Sequence, residues 1–470
     1  MNRVRWRCYM LGIVLDFKSN GISKYIQLYE YIKGEIEAGA FKSGEKLPSV
    51  RLLSKSLSIS KATVENAYNQ LVVEGYVESK DKSGFYVLDF DASDLGQFNK
   101  KIPEAATHAA LVPKPKKYNS DGTEEKAFHF NEWKKAVNRI LEYETKTLLS
   151  YGEAQGEYAL RKEIAKFVLQ SRGVTCKPDQ IIIGAGIQYL FGLIAAVFKD
   201  QMNSIAFEYP GFAKGMYVFE DYGYHMEKIA LEKDGIRIPA LEKSGAKLVY
   251  VSPSHQYPTG GVMSVKKRLQ LLDWAQRCEG YIIEDDYDSL LRYEGIPVPA
   301  LQGLSKGENV IYVGSFSKLL IPALRISFMI LPDPLMQKFN SVLMRYSQSV
   351  SKIEQLALAL YMEEGAFERH IRRIKKIYGR KNQLLIEAFK QHETDLVKLI
   401  GQESGLHVTL RFDPSVDTKS VVEQCVAMGI TLEVIEGYQN EQVIVFSYSG
   451  VPDVDMEAVV ASIVRVAGAT

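Results

Sequence analysis

Cysteine is scarce, with four residues in 470 (Cys8, Cys176, Cys278, Cys425) and none near another. That spacing fits neither a metal-ligand set nor a disulfide framework, so a reducing, cytoplasmic setting is expected. Charge imbalance is also missing: 58 Lys+Arg against 57 Asp+Glu leaves a net charge of +1. Any contact with nucleic acid must therefore come from a local patch. No apolar run is long enough to form a membrane helix, and no membrane partner is expected. The run Cys8–Leu15 behind Arg3, Arg5 and Arg7 imitates a secretory leader, but Asp16 and Phe17 follow at once without a small-residue cleavage site. Residues 1–20 are expected to be an N-terminal extension or first strand, with Met10 as an alternative start.

What the chain does contain is 46% apolar and 24% charged residues, the composition of a globular protein, and a length that predicts two to four domains. Tyr25, Ile26, Leu28, Tyr29, Ile32 and Ile36 recur at helical spacing, which predicts a helix over Ser23–Ala38 with Ser23 as N-cap and Gly39 as stop. A second short helix is predicted from Pro48 and Ser49 to Leu57. A third runs from Lys61 to Glu74, stopped by Gly75. Two helices joined by a short turn form the helix-turn-helix unit. Tyr76–Ser79 and Phe85–Leu88 then read as a hairpin wing. Lys42, Lys46, Arg51, Lys55 and Lys61 face only Glu45 over the same span, a cluster able to meet phosphates.

Leu47-Pro-Ser-x-Arg-x-Leu, Ser60-Lys-Ala-Thr-Val, Ala67-Tyr-x-x-Leu, Glu74-Gly-Tyr and Ser83-Gly-Phe-Tyr-Val together resemble the GntR-family winged helix. The resemblance implies a winged helix-turn-helix over residues 21–88 that binds double-stranded operator DNA. It implies contacts from Ser49, Arg51, Ser60, Lys61 and Thr63, with Gly84 letting the wing approach the minor groove. Glu65 stands where many relatives carry arginine. Residues 89–127 are polar, proline-bearing and aperiodic, and read as a linker whose lysines either touch DNA or are solvated.

From residue 128 helices alternate with apolar strands, which predicts an α/β domain with a mainly parallel sheet and crossover helices. Val310–Val313 leads into Gly314-Ser-Phe-Ser-Lys318, with Arg325 seven residues beyond the lysine. A lysine there can lose its proton in a partly desolvated pocket and form a Schiff base with an aldehyde, while Ser315, Ser317 and Arg325 offer donors to a phosphate. A solvated lysine on a loop is the plain alternative. Ile181-Ile-Ile-Gly-Ala-Gly186 is a strand entering a small-residue turn before a helix, where exposed N–H groups at Ala185 and Gly186 suit an anion. Phe212, in Glu208-Tyr-Pro-Gly-Phe, either stacks on a ring or belongs to the core. Tyr281-Ile-Ile-Glu-Asp-Asp-Tyr-Asp288 ends a strand in carboxylates. If the aldehyde is carried on a pyridine ring with a phenolic oxygen, a buried Asp285 would keep the ring nitrogen protonated, with Tyr287 as its companion for that oxygen. A metal site is the rival reading of the four acids, although no histidine lies near them in sequence, and no metal is expected.

In this order the motifs resemble a whole fold-type I pyridoxal phosphate (PLP) aminotransferase subunit over residues 128–470, including a smaller α+β part from Leu399. Helices are predicted over Pro334–Tyr361 and Phe367–Gln391. Ser252-Pro-Ser-His-Gln-Tyr-Pro-Thr-Gly resembles the family's Asn-Pro-Thr-Gly turn, with Tyr257 in place of the asparagine. That form and the Asp-Asp-Tyr-Asp run resemble MocR/GabR-type regulators, in which a GntR winged helix is fused to an aminotransferase-like domain. The resemblance implies PLP as cofactor, a homodimer in which Tyr151 reaches the partner's phosphate site, and transcription regulation responding to PLP itself or to an amine or amino acid. Tyr151 also reads as an ordinary surface or core tyrosine. The alternative is a working aminotransferase carrying a DNA-binding domain. Against it, Gln442–Ser449 holds no arginine where the substrate carboxylate would be bound, near Val445. Lys214 is a candidate replacement cation for the effector.

Overall fold

The computed structural model describes residues 23–81, 83–89, 122–124, 126–293, 298–305, 307–435 and 442–469. The extension over residues 1–20 and most of the predicted linker lie outside them. The chain divides into two compact units, Met1–Lys114 and Pro115–Thr470.

In the first unit, helices α1 (Lys24–Glu37), α2 (Val50–Leu57) and α3 (Lys61–Val73) precede the antiparallel hairpin of β1 (Val77–Lys80) and β2 (Gly84–Val87). Leu28, Ile32, Leu53, Val64, Ala67, Tyr68 and Leu71 form its core, each at most 4% exposed. Burial on this scale contributes roughly 1.5–3 kcal/mol per large side chain, enough to hold three short helices together. Ser49 and Ser60 cap α2 and α3, accepting from Leu52 N at 3.3 Å and Thr63 N at 3.1 Å. Ser23, the expected cap of α1, makes no such bond. Gly75 ends α3 at φ +76°, a left-handed conformation that glycine adopts without strain. Tyr68 Oη donates to Pro48 O at 2.9 Å, which ties α3 to the start of α2.

The second unit is built on an eight-stranded sheet. Its strands are β3 (Ile181–Ala185), β4 (Ser204–Tyr209), β5 (His225–Glu232), β6 (Gly235–Ile236), β7 (Leu248–Val251), β8 (Tyr281–Asp286), β9 (Val310–Ser315) and β10 (Ile326–Ile330), in the order β3-β10-β9-β8-β7-β4-β5-β6. The five strands β9, β8, β7, β4 and β5 pair in parallel, and β10 runs antiparallel between β3 and β9. Two-sided burial explains the unbroken apolar runs: every residue of β7 and of β10 is buried. Helices α4 (Tyr158–Arg172) and α5 (Ile187–Phe198) flank β3. The C-terminal ends of β3, β4, β7, β8 and β9 all open on one edge, the edge on which parallel α/β sheets bind ligands.

The helix predicted over Pro334–Tyr361 is two helices, α6 (Asp333–Leu343) and α7 (Lys352–Glu363). Between them the apolar period of Leu335, Phe339 and Leu343 gives way to Ser347-Gln-Ser-Val-Ser. Those polar side chains serve the sheet instead: Gln348 Nε2 donates to Ala154 O and Ile183 O at 3.1 and 3.3 Å, and Ser349 Oγ accepts from Ala185 N at 3.0 Å. Helix α8 (Ala366–Gln391) then leads to a smaller antiparallel sheet of β11 (Val397–Ile400), β12 (His407–Phe412), β13 (Leu432–Val434) and β14 (Gln442–Ser447), ordered β11-β12-β14-β13. It begins at Val397, two residues before the expected Leu399.

Candidate functional site

Lys318 sits half-buried in the turn after β9. The turn is held from below: Leu320 N donates to Phe316 O at 2.8 Å, and the buried His370 Nε2 lies 2.7 Å from Leu319 O. Burial lowers the His370 pKa to about 4, so this imidazole is a neutral donor to the carbonyl at ordinary pH. Ser315 Oγ accepts from Ser317 N at 3.2 Å and from Ser327 Oγ at 3.0 Å. The buried Ser317 hydroxyl has no partner.

Arg325 is held in a left-handed conformation (φ +51°), and its guanidinium lies against Gly186. A Cβ at Gly186 would stand 2.3 Å from Arg325 Nη2, and Gly186 itself has φ +93°. Only glycine meets both demands. Helix α5 starts directly after it without a side-chain cap. Arg325 and the start of α5 thus make a site suited to an anion.

Asp285, at the end of β8, is 5% exposed. Its Oδ2 accepts from Tyr250 Oη at 2.6 Å, and its Oδ1 has no partner. Burial, reinforced by Asp286, Asp288 and Glu284, raises its pKa to about 7. An unpaired buried carboxylate oxygen is costly unless a ligand supplies the donor. Phe212 packs on Tyr250 with ring centroids 6.3 Å apart. Beneath them Glu208, its pKa raised to about 8 by burial, accepts from Ser252 N at 3.0 Å. Asp286 is committed elsewhere: Arg172 Nε donates to it at 2.6 Å and Tyr312 Oη at 2.6 Å. Among the described residues no group of three or more His, Cys, Asp or Glu side chains is arranged to hold a metal ion.

Tyr287 joins an aromatic cluster that the sequence did not reveal. It stacks on His255 (5.7 Å, 26°) and on His407 (6.3 Å, 22°), and Tyr257 meets His407 edge-on at 5.4 Å. His407 comes from β12 of the smaller sheet. Burial, with His255 and Lys318 nearby, holds its pKa well below the usual histidine range. Tyr257 Oη donates to Glu433 Oε2 at 3.1 Å. Val445 lies buried in β14 between Thr409 and Glu433, and no described residue of that strand is an arginine. Lys214 is exposed two residues after Phe212, where its carbonyl accepts from Gln188 Nε2 at 3.3 Å. Tyr151 is fully exposed, on a loop whose carbonyls at Thr147 and Tyr151 accept from Lys352 Nζ at 2.9 and 3.3 Å.

In the first unit Arg51 and Lys61 are exposed on α2 and α3, and Thr63 is half-exposed beside them. The Ser49 and Ser60 hydroxyl oxygens cap the helices, and Ser60 Oγ also lies 2.8 Å from Thr63 Oγ1. Gly84 opens β2 at φ +113°, where an added Cβ would stand 3.1 Å from Lys46 Cε. Lys46 and Lys80 both lie over the Tyr86 ring. Two cations thus sit on one wing tyrosine, Lys80 also pairing with Glu78 at 2.8 Å.

Two family profiles match the chain: "Bacterial regulatory proteins, gntR family" over residues 24–87 and "Aminotransferase class I and II" over residues 118–463. The HTH-type transcriptional regulator YdeL of Bacillus subtilis (strain 168) is 37% identical over 442 residues, covering 93% of this chain and 95% of that protein. The probable rhizopine catabolism regulatory protein MocR of Rhizobium meliloti is 30% identical, covering 89% and 87%. Among solved structures, a multiple substrate aminotransferase from Thermococcus profundus superimposes with a TM-score of 0.67 at 25% identity, covering 74% of this chain and 90% of that one. Aminotransferases of this class generally work with PLP. The chain belongs to the MocR-type helix-turn-helix transcriptional regulators, in which a GntR winged helix is joined to a fold-type I aminotransferase domain.

Proposed function

We propose that this regulator carries PLP in the pocket at Lys318 and uses it to sense PLP itself, an amine or an amino acid. The observation that carries the proposal is the set of unmet demands around Lys318. Asp285 Oδ1 and Ser317 Oγ are buried without partners, and Gly186 leaves room that the Arg325 guanidinium fills. These residues fit the group. Asp285 would hold the pyridine nitrogen and Tyr287 the phenolic oxygen, with Phe212 beside the ring. Ser315, Ser317, Arg325, Ala185 and Gly186 would hold the phosphate. When bound, the cofactor supplies an aldehyde that Lys318 and incoming amines compete for.

Operator DNA is read by α2, α3 and the wing, with Arg51, Lys61, Thr63, Ser49, Ser60 and Gly84 as the proposed contacts. Ser49 uses its oxygen as a cap, which leaves its hydroxyl proton for a phosphate, and the hydrogen-bonded Ser60 and Thr63 hydroxyls have one proton between them to offer. The protein acts as a cytoplasmic homodimer, a reading supported by the full exposure of Tyr151 on an otherwise braced loop. Lys214 is kept as an effector cation, since β14 offers no arginine near Val445.

The test is reconstitution. PLP added to purified protein should produce a visible absorption band that Lys318→Ala lacks. A wild-type protein that stays colourless in excess PLP overturns the cofactor reading.

A further inference from the structure

His255 follows β7 and Asp288 follows β8. Both side chains are 2% exposed, and His255 Nδ1 lies 2.7 Å from Asp288 Oδ1. Tyr287 Oη is 3.1 Å from the same nitrogen. A carboxylate can only accept, so His255 Nδ1 must carry its proton toward Asp288. A nitrogen that holds its proton cannot take another from Tyr287. The phenol oxygen is therefore a second acceptor of that N–H, and the Tyr287 proton points away from the histidine. Stacking of the two rings at 5.7 Å and 26° fixes their mutual orientation.

Three neighbouring side chains are already committed. Tyr250 Oη donates to Asp285 at 2.6 Å, and Tyr257 Oη donates to Glu433 at 3.1 Å. Gln256 Nε2 donates to Pro210 O at 3.1 Å, and its Oε1 accepts from Thr259 N at 3.1 Å. Among these residues Tyr287 is the one whose hydroxyl proton is left for a ligand.

We infer that the Asp288–His255 pair is a positioning device: it fixes the histidine tautomer so that Tyr287 donates outward, to an anionic oxygen on the ring of the bound cofactor. This rests on the cofactor reading above. Asp288 and His255 touch no ligand in this role. They act through Tyr287, as a carboxylate that fixes an imidazole tautomer does elsewhere.

The experiment is a pH titration of the visible band in PLP-loaded protein. A donor on the ring oxygen draws off negative charge that otherwise keeps a proton on the adjacent lysine nitrogen, so losing the donor moves the midpoint upward. Tyr287→Phe should raise it by about one pH unit, the size of a charge-assisted hydrogen bond. Asp288→Asn, which can present its amide N–H to Nδ1 and reverse the tautomer, should raise it in the same direction. The double variant should go no further than Tyr287→Phe alone, and Asp288→Glu should titrate as wild type. If Asp288→Asn does not fold, Asp288→Ala, which frees the imidazole to change tautomer and accept the Tyr287 proton, should raise the midpoint in the same direction. A wild-type band combined with an unmoved midpoint in these Asp288 variants, or with additive shifts, overturns the inference. Absence of the band in wild type instead overturns the cofactor reading beneath it.

Discussion

Arg172 offers the sharpest test of how the site is held. Its side chain, 1% exposed, runs from α4 to the end of β8, donating from Nε to Asp286 Oδ2 at 2.6 Å, from Nη2 to Ser254 Oγ at 2.5 Å and from Nη1 to Val298 O. Asp286 is itself 4% exposed and keeps Tyr312 Oη as its other partner. Arg172→Met fills much of the volume but strands the carboxylate. Removing one member of a buried pair costs about 3–5 kcal/mol, because the remaining charge stays desolvated. The pH dependence has a definite sign. In the wild type the guanidinium holds the Asp286 pKa below its usual value against the opposing effect of burial. Its stabilisation is thus complete above the ordinary carboxylate range and lost only as pH falls through the depressed value. In the variant, burial without the cation pushes that pKa up, so Asp286 takes a proton on mild acidification. The gap between the two proteins should be widest at neutral pH and shrink toward acid. Urea unfolding followed by tryptophan emission suits the purpose: Trp133 and Trp274 lie in the second unit, and Trp6 is outside the described residues. A loss under about 1 kcal/mol, or a gap that widens on acidification, would show that Asp286 does not depend on the guanidinium. Arg172→Met/Asp286→Asn should recover most of the loss, since it removes the stranded charge.

Three further outcomes are expected. Gly186→Ala should weaken PLP binding at least tenfold, measured by titration of the visible band, because its Cβ would stand 2.3 Å from Arg325 Nη2 at a φ of +93°; unchanged affinity would remove Arg325 from the anion site. Lys61→Ala and Arg51→Ala should each weaken DNA binding and make the slope of log affinity against log salt shallower by about one, as one phosphate contact is lost. Neither should alter the cofactor band. Light scattering should find a dimer. PLP titration of mixtures of wild type with Tyr151→Phe/Lys318→Ala subunits should find weakened sites on wild-type subunits, since Tyr151 is proposed to serve the partner; sites of unchanged affinity in a proven mixed dimer would remove it from the pocket.

The winged helix was legible because each of its signals is local: apolar residues at helical spacing, serines at two helix starts, and glycines at Gly75 and Gly84 where the backbone turns left-handed. Ser315, Ser317, Lys318 and Arg325 could be singled out as candidates for the same reason, as one contiguous stretch. What escaped notice is assembled from distant strands. Tyr250 reads as one more apolar residue in Leu248–Val251, although a tyrosine buried in a parallel strand needs a partner for its hydroxyl, and Asp285 lies 35 residues away. His407 opens a strand of the smaller sheet and meets His255 only when that sheet folds back over the pocket edge. Ser349 was hidden inside a predicted helix that breaks so that its hydroxyl can accept from Ala185 N. Predicting those contacts requires the sheet order, and the period of one segment does not contain it.

Control of DNA binding by the cofactor site is tested by one titration. DNA fragments bound by the protein are selected from a random pool, and affinity for them is measured by fluorescence anisotropy with and without PLP, and with amines added to the loaded protein. Wild-type affinity should change at least severalfold on one of these additions, while Lys318→Ala should bind the same DNA with an affinity that none of them alters. Equal responses from the two proteins, or no response from wild type that visibly holds its cofactor, would contradict the claim.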